Sequence, residues 1–235
     1  MPTDNLPARL PITSASRPGS RPKRRGFSRP ELHVKVTLHS THAQRVAGRN
    51  MMEVARALYT IAVILHIIGD QDAADQVDEI VIGKIRAASS KLQVSLAQLK
   101  KQRTESGIDQ FPVYNNPLRM TLHISSPQLA QYASLIQGLD ALSMEADTLW
   151  LGGMISNRQH ANLAYQWRRD LLELADEITR IERMARTSAI GVGAAEEIAA
   201  GEAEAKDVIT VEDGGDLGLG DHEDEEDEEE VRVAA

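Results

Sequence analysis

Cysteine is absent from the 235 residues of the chain, which excludes a disulfide framework, a thiolate nucleophile and a thiolate metal ligand. Aromatic residues are scarce, and all eight (two Trp, four Tyr, two Phe) precede residue 189. Long apolar runs are missing too. The most apolar stretch, Leu58 to Ile68, is about half the length needed to span a bilayer, and His66 interrupts it. The N-terminus carries charge without an apolar h-region, so it does not resemble a secretory signal. A cytoplasmic protein without a membrane segment is the expectation.

Signatures of catalysis are lacking as well. There is no phosphate-binding glycine loop, no G-x-S-x-G elbow and no H-E-x-x-H. The Gly152-Gly153 pair reads as a helix C-cap. His33 and His39 share the parity of one strand face and His42 follows, so three imidazoles could gather around zinc. No Cys and no obvious fourth ligand lies near them, however. The chain is expected to be no enzyme, and to use no cofactor and no metal.

Charge is present but unevenly spread. Residues 1–29 hold seven Lys and Arg, including Lys23, Arg24 and Arg25, against the single acid Asp4. Residues 189–235 hold 17 acids, eight of them consecutive from Glu223 to Glu230, against Lys206 and Arg232. Residues 30–188 balance at 17 of each sign. Neither end has the apolar content to offset its ordering entropy, so both are expected to be disordered. A folded domain is expected over 30–188, flanked by a basic arm and an acidic tail. The tail reads as a solubilising extension, or as a competitor of DNA for the arm.

Within 30–188 two segments read almost alike. Val34-Lys35-Val36-Thr37-Leu38-His39 and Leu118-Arg119-Met120-Thr121-Leu122-His123 lie 84 positions apart. Strict alternation is the period of a half-buried strand, and repetition points to two equivalent units. After the first strand, Thr41-x-x-Gln44 resembles a capping box that opens a helix from about 43 to 68. A second helix, about 72–103, carries an apolar stripe from Val77 to Leu99. Pro127 and the serines before it open a third helix, and Ser156-x-x-Gln159 opens a fourth, about 157–187, with a stripe from Leu163 to Ala185. The expected fold is mainly α with a small two-stranded β-ribbon, duplicated as strand–helix–helix units over about 30–103 and 117–188. The two strands could pair within one chain or between two.

An antiparallel ribbon fits the DNA major groove, where alternate side chains reach base edges. The polar strand faces supply Lys35, Thr37, His39, Arg119, Thr121 and His123 for this purpose. Helix N-termini after each strand could clamp phosphates, and Lys23, Arg24 and Arg25 would add salt-sensitive affinity. The plainer alternative is a pair of amphipathic strands with solvated outer faces. A different class of function, a helical scaffold for another protein, would use the two long apolar stripes as partner surfaces.

The V-K-V-T-L-H strand, the later L-R-M-T-L-H-I-S-S-P-Q-L and the helix segment Y-Q-W-R-R-D-L-L together resemble the AcaB-like family of transcriptional regulators of integrative conjugative elements and conjugative plasmids. The resemblance covers about 30–188. It implies a ribbon-helix-helix-like fold and a bacterial, dimeric protein that binds double-stranded DNA and regulates transfer genes. Lys35, Thr37, Arg119 and Thr121 are the positions it would make base readers. The long helices around 72–103 and 157–187 depart from a minimal ribbon-helix-helix pattern.

Overall fold

A computed structural model of the chain describes residues 30–64, 71–191 and 209–211. The basic arm with Lys23, Arg24 and Arg25, the expected end of the first helix at 65–70, and most of the acidic tail lie outside the described residues. In chain order the elements are β1 (Leu32–Leu38), α1 (Thr41–Tyr59) continued by a π-helical turn (Thr60–Ile64), α2 (Gln71–Glu105), β2 (Leu118–Ile124), α3 (Pro127–Leu151), α4 (Asn157–Gly191) and β3 (Ile209–Val211).

The protein is mainly helical, and β1 and β2 of one chain pair antiparallel. Ile209–Val211 differs from expectation. It adds a short antiparallel strand to the far edge of β2, inside the stretch read as structureless. These three residues are β-branched, the type that fits a pleated surface, and β2 offers them an unpaired ladder edge. The α4 helix likewise runs to Gly191, slightly past the expected boundary at 188.

Helix ends follow the local chemistry. Ser126 caps α3, its Oγ accepting from Leu129 N at 3.2 Å, with Pro127 opening the helix. Ser156 and Gln159 form the expected box, Ser156 N donating to Gln159 Oε1 (2.9 Å) and Gln159 N to Ser156 Oγ (3.3 Å). At α1 the cap is Ser40 rather than Thr41, because Ala43 N donates to Ser40 Oγ. Gln44 instead donates to the carbonyls of Leu38, His39 and Asn116, tying the strand end to the connector. Both α2 and α3 stop in Schellman motifs, with Gly107 (φ 68°) and Gly153 (φ 71°) left-handed. In each, the following amide closes back on the last turn, Ile108 N to Arg103 O and Met154 N to Leu149 O.

α3 is the central helix. It packs against α1, α2, α4, β1 and β2, and is buried nearly all round. The two long stripes lie inside the protein: Val81, Ile85 and Leu92 of α2, and Trp167, Leu171 and Ile178 of α4, belong to one core. The surfaces that a scaffold would present through these stripes are therefore internal. Lys84 and Glu177 pair across α2 and α4 at 2.9 Å, and Lys91 both pairs with Asp170 and lies 5.2 Å from the Trp167 ring centre. The helices α2 and α3 cross closely at Gly138, where a Cβ would meet Leu92 Cδ2 at 2.6 Å.

Leu92 thus fills the notch left by Gly138. Replacing Leu92 by Ala should cost about 2–5 kcal/mol in urea unfolding. Adding Gly138→Ala to that variant should recover part of the loss, because the new methyl enters the vacated space. A double-mutant cycle showing no coupling between the two sites would contradict this packing.

Candidate nucleic-acid interface

Alternation divides the ribbon into two faces. Val36, Leu38, Met120, Leu122 and Ile124 point inward and are buried. The ladder sets His33 opposite His123, Lys35 opposite Thr121, and Thr37 opposite Arg119. These six residues share the outer face, since residues two apart on a strand point the same way. Lys35, Thr37 and Arg119 are exposed, while Thr121 and His123 are half-buried. The structure therefore brings together five of the expected strand residues, from sequence segments some 80 positions apart.

His39 stands elsewhere. β1 ends at Leu38, so His39 falls past the last cross-strand pair. Its amide donates to both carboxylate oxygens of Asp140 (2.9 and 3.1 Å), and its Nδ1 lies 3.1 Å from Asp140 Oδ2. The Ser40 amide donates to Asp140 Oδ1 at 2.7 Å. Asp140 is buried within α3, so one carboxylate fixes the turn between β1 and α1. His33 takes the place on the outer face that sequence reading gave to His39. The parity of His33 was visible in the sequence; the strand's end point was not.

The same carboxylate changes what the start of α1 can do. An anion already faces the amides of His39 and Ser40, so this helix end does not offer them to a phosphate. The cap serines Ser40 and Ser126 are both buried, which places the polar surface of the ribbon in its strands rather than in the helix starts.

A second cluster lies under the connector. Asp147 of α3 accepts from Tyr114 Oη at 2.6 Å and lies 2.5 Å from His160 Nε2. The His160 ring stacks on Trp150. Burial pushes the Asp147 carboxyl up, but the bonds from His160 and Tyr114, with the charges of His160 and His42, hold it below the usual 3.8. Burial first, and then Asp147 itself, push the Tyr114 phenol up. Among the described residues His33, His39 and His42 do not form a metal-ligating group: His33 is on the sheet face, His39 on Asp140, and His42 in the field of Asp147. A different group does assemble: Glu31, His33 and His123 hold their ligand atoms within 4.8 Å of one another. Among the described residues, no helix is long and apolar enough to cross a membrane.

No family model and no curated protein sequence matches the chain. Among solved structures, it is similar to the crystal structure of selenomethionine-containing AcaB from uropathogenic E. coli. The two are 38% identical and superpose with a TM-score of 0.70, covering 77% of this chain and 100% of the other.

Asp140→Ala should strand the buried amide of Ser40 and the amide of His39, at about 1–3 kcal/mol for each group left unpaired. Urea unfolding measures the loss, and a cost below that of a single hydrogen bond would show that water replaces the carboxylate. Asp147 makes a pH-dependent contribution. A carboxyl whose folded pKa is depressed stabilises fully above its unfolded value and loses that effect as pH falls through the folded one. Asp147→Asn should therefore lower Tm near neutral pH, and the gap to the unaltered protein should close only below 3.8. A gap that closes nearer neutrality would contradict the assignment.

Proposed function

The chain belongs to the AcaB family, and on that premise we propose that it is a sequence-specific, DNA-binding regulator of transcription that lays the outer face of β1 and β2 in the major groove. The observation that carries this reading is the ladder register, which gathers Lys35, Thr37, Arg119 and Thr121 on one outward face. Arg can bond the O6 and N7 edge of guanine in bidentate fashion, Lys can reach the same atoms, and Thr can touch a thymine methyl or bond a base edge. Val36, Leu38, Met120, Leu122 and Ile124 commit most of the inner face to the core, which leaves the outer face as the one offered to a ligand. In this reading the target genes are the transfer genes of a mobile element, as the family resemblance implies. The basic arm with Lys23, Arg24 and Arg25 precedes β1 in the sequence and would supply sequence-independent affinity for phosphates.

The element order supports a duplicated ribbon-helix-helix-like plan. The strands begin at Leu32 and Leu118, the following helices at Thr41 and Pro127, and the next at Gln71 and Asn157, each pair 86 positions apart. The cap serines, Ser40 and Ser126, keep the same spacing. A ribbon-helix-helix dimer takes one strand from each of two chains; here one chain supplies both. A homodimer is accordingly not needed to complete the ribbon. A second copy would extend the read-out, and β1, an edge strand, is where it would add.

Fluorescence anisotropy against the DNA upstream of the chain's own gene, with an unrelated duplex as competitor, tests the proposal. Lys35→Ala/Arg119→Ala should abolish the preference for the cognate duplex, at about 1–3 kcal/mol of discrimination per lost bidentate contact, while residual binding retains the salt slope of the arm. Equal preference in the variant and the unaltered protein would remove the ribbon from the reading.

A further inference from the structure

We propose that Glu31, His33 and His123 form a binding site for a divalent transition metal of the zinc class at the end of the ribbon where β1 begins. His33 and His123 are direct partners across the antiparallel ladder, and their rings stack with centroids 4.3 Å apart and planes inclined by 18°. Glu31 lies just before β1, two residues from His33, its Oε2 3.9 Å from His33 Nε2. The backbone has thus already placed one carboxylate and two imidazoles on one side of the sheet, from two strands that are far apart in sequence.

The metric fits after a small contraction. One ligand atom from each residue lies within 4.8 Å of the other two. Zinc–nitrogen and zinc–oxygen bonds of about 2.0–2.2 Å put tetrahedral ligands about 3.4 Å apart. The side chains of His33 and Glu31 are 63% and 43% exposed, so rotation about their side-chain bonds can close the difference without moving the core. Two imidazoles with one carboxylate suit zinc, nickel or copper, whereas magnesium and calcium favour all-oxygen sites. Three protein ligands leave further coordination to water.

The location gives such a metal physical work. Leu32 and Val34 lie on the core-facing parity of β1, yet they are 69% and 38% exposed. Their partners Ile124 and Leu122 are buried. The start of β1 is therefore held to β2 by the ladder without the hydrophobic cover that the rest of the strand enjoys. A metal bridging His33 and His123 would join the two strands at that point, and its binding free energy would stabilise the paired state.

Isothermal titration of zinc into the full-length protein, stripped of metal beforehand, tests the site. Expected is a saturable isotherm that the His33→Ala/His123→Ala double variant loses and that Glu31→Gln weakens by about tenfold, or about 1.4 kcal/mol. Zinc should also raise Tm for the unaltered protein but not for the double variant. The acidic tail is common to all three proteins, so its own affinity for cations cancels in the comparison. Circular dichroism confirms that the variants fold. Identical isotherms for the unaltered protein and the double variant, or no zinc isotherm beyond the tail's, would overturn the proposal.

Discussion

Three acids on the central helix hold the parts of this protein in place. Asp140 binds the turn between β1 and α1, and Glu145 binds Arg103 near the end of α2 at 2.7 Å. Asp147 binds Tyr114 of the connector and His160 of α4. The helix α3 is buried nearly all round, and a carboxylate buried in such a helix is costly unless it is bonded. Each acid therefore has a strong requirement for its own partner, and together they specify how four neighbouring pieces meet α3. Hydrophobic burial is non-directional and would tolerate a sliding of these pieces; charged hydrogen bonds to named amides and side chains would not. Asp140 matters most for the surface, because it fixes where β1 stops and thereby which residues reach the sheet face.

Much of this architecture was legible in the sequence. The stripes from Val77 to Leu99 and from Leu163 to Ala185 have helical period and form the core. The alternation at 34–39 and 118–123 marks the strands, and the Ser156–Gln159 box and Pro127 mark two helix starts. These signals are local: each depends on residues within a few turns of one another. The misreadings at the start of α1 involve distant partners. Thr41-x-x-Gln44 has the spacing of a capping box, yet Ser40 takes the cap, held by Asp140 a hundred residues away, and Gln44 turns to Asn116. The π-helical turn at Thr60–Ile64 and the pairing of Ile209–Val211 with β2 likewise have no local signature beyond favourable residue types. The three acids of α3 did leave a trace, as charges inside an apolar helix, but nothing local names their partners.

The candidate site shows the same division. Period-two alternation placed Lys35, Thr37, Arg119, Thr121 and His123 on polar strand faces, and pairing within one chain made those faces one surface. What alternation cannot supply is register. A shift by one residue would turn every side chain to the opposite face, and a shift by two would keep the face while moving each residue along the strand. The likeness between the two segments leaves that second shift open, because it preserves every feature a pattern can detect.

That shift explains why alternation groups His39 with the face. The segments resemble each other at an offset of 84, whereas strands, caps and helix starts repeat at 86. The difference is one strand period. At 84, His39 is the counterpart of His123; at 86, the counterpart of His123 is Thr37, that of Arg119 is His33, and that of Thr121 is Lys35. The antiparallel ladder pairs Lys35 with Thr121, so in the duplicated reading the local two-fold axis of the ribbon passes between two different residues. A ribbon assembled from two identical chains must carry the same side chain on both sides of its axis, and so favours a palindromic target. One chain that supplies both strands is released from that constraint. Its two halves are free to differ, and in the duplicated reading they would differ at His33 and Arg119, Lys35 and Thr121, and Thr37 and His123. The proposed reader would then favour a target without two-fold symmetry at the centre of its contact.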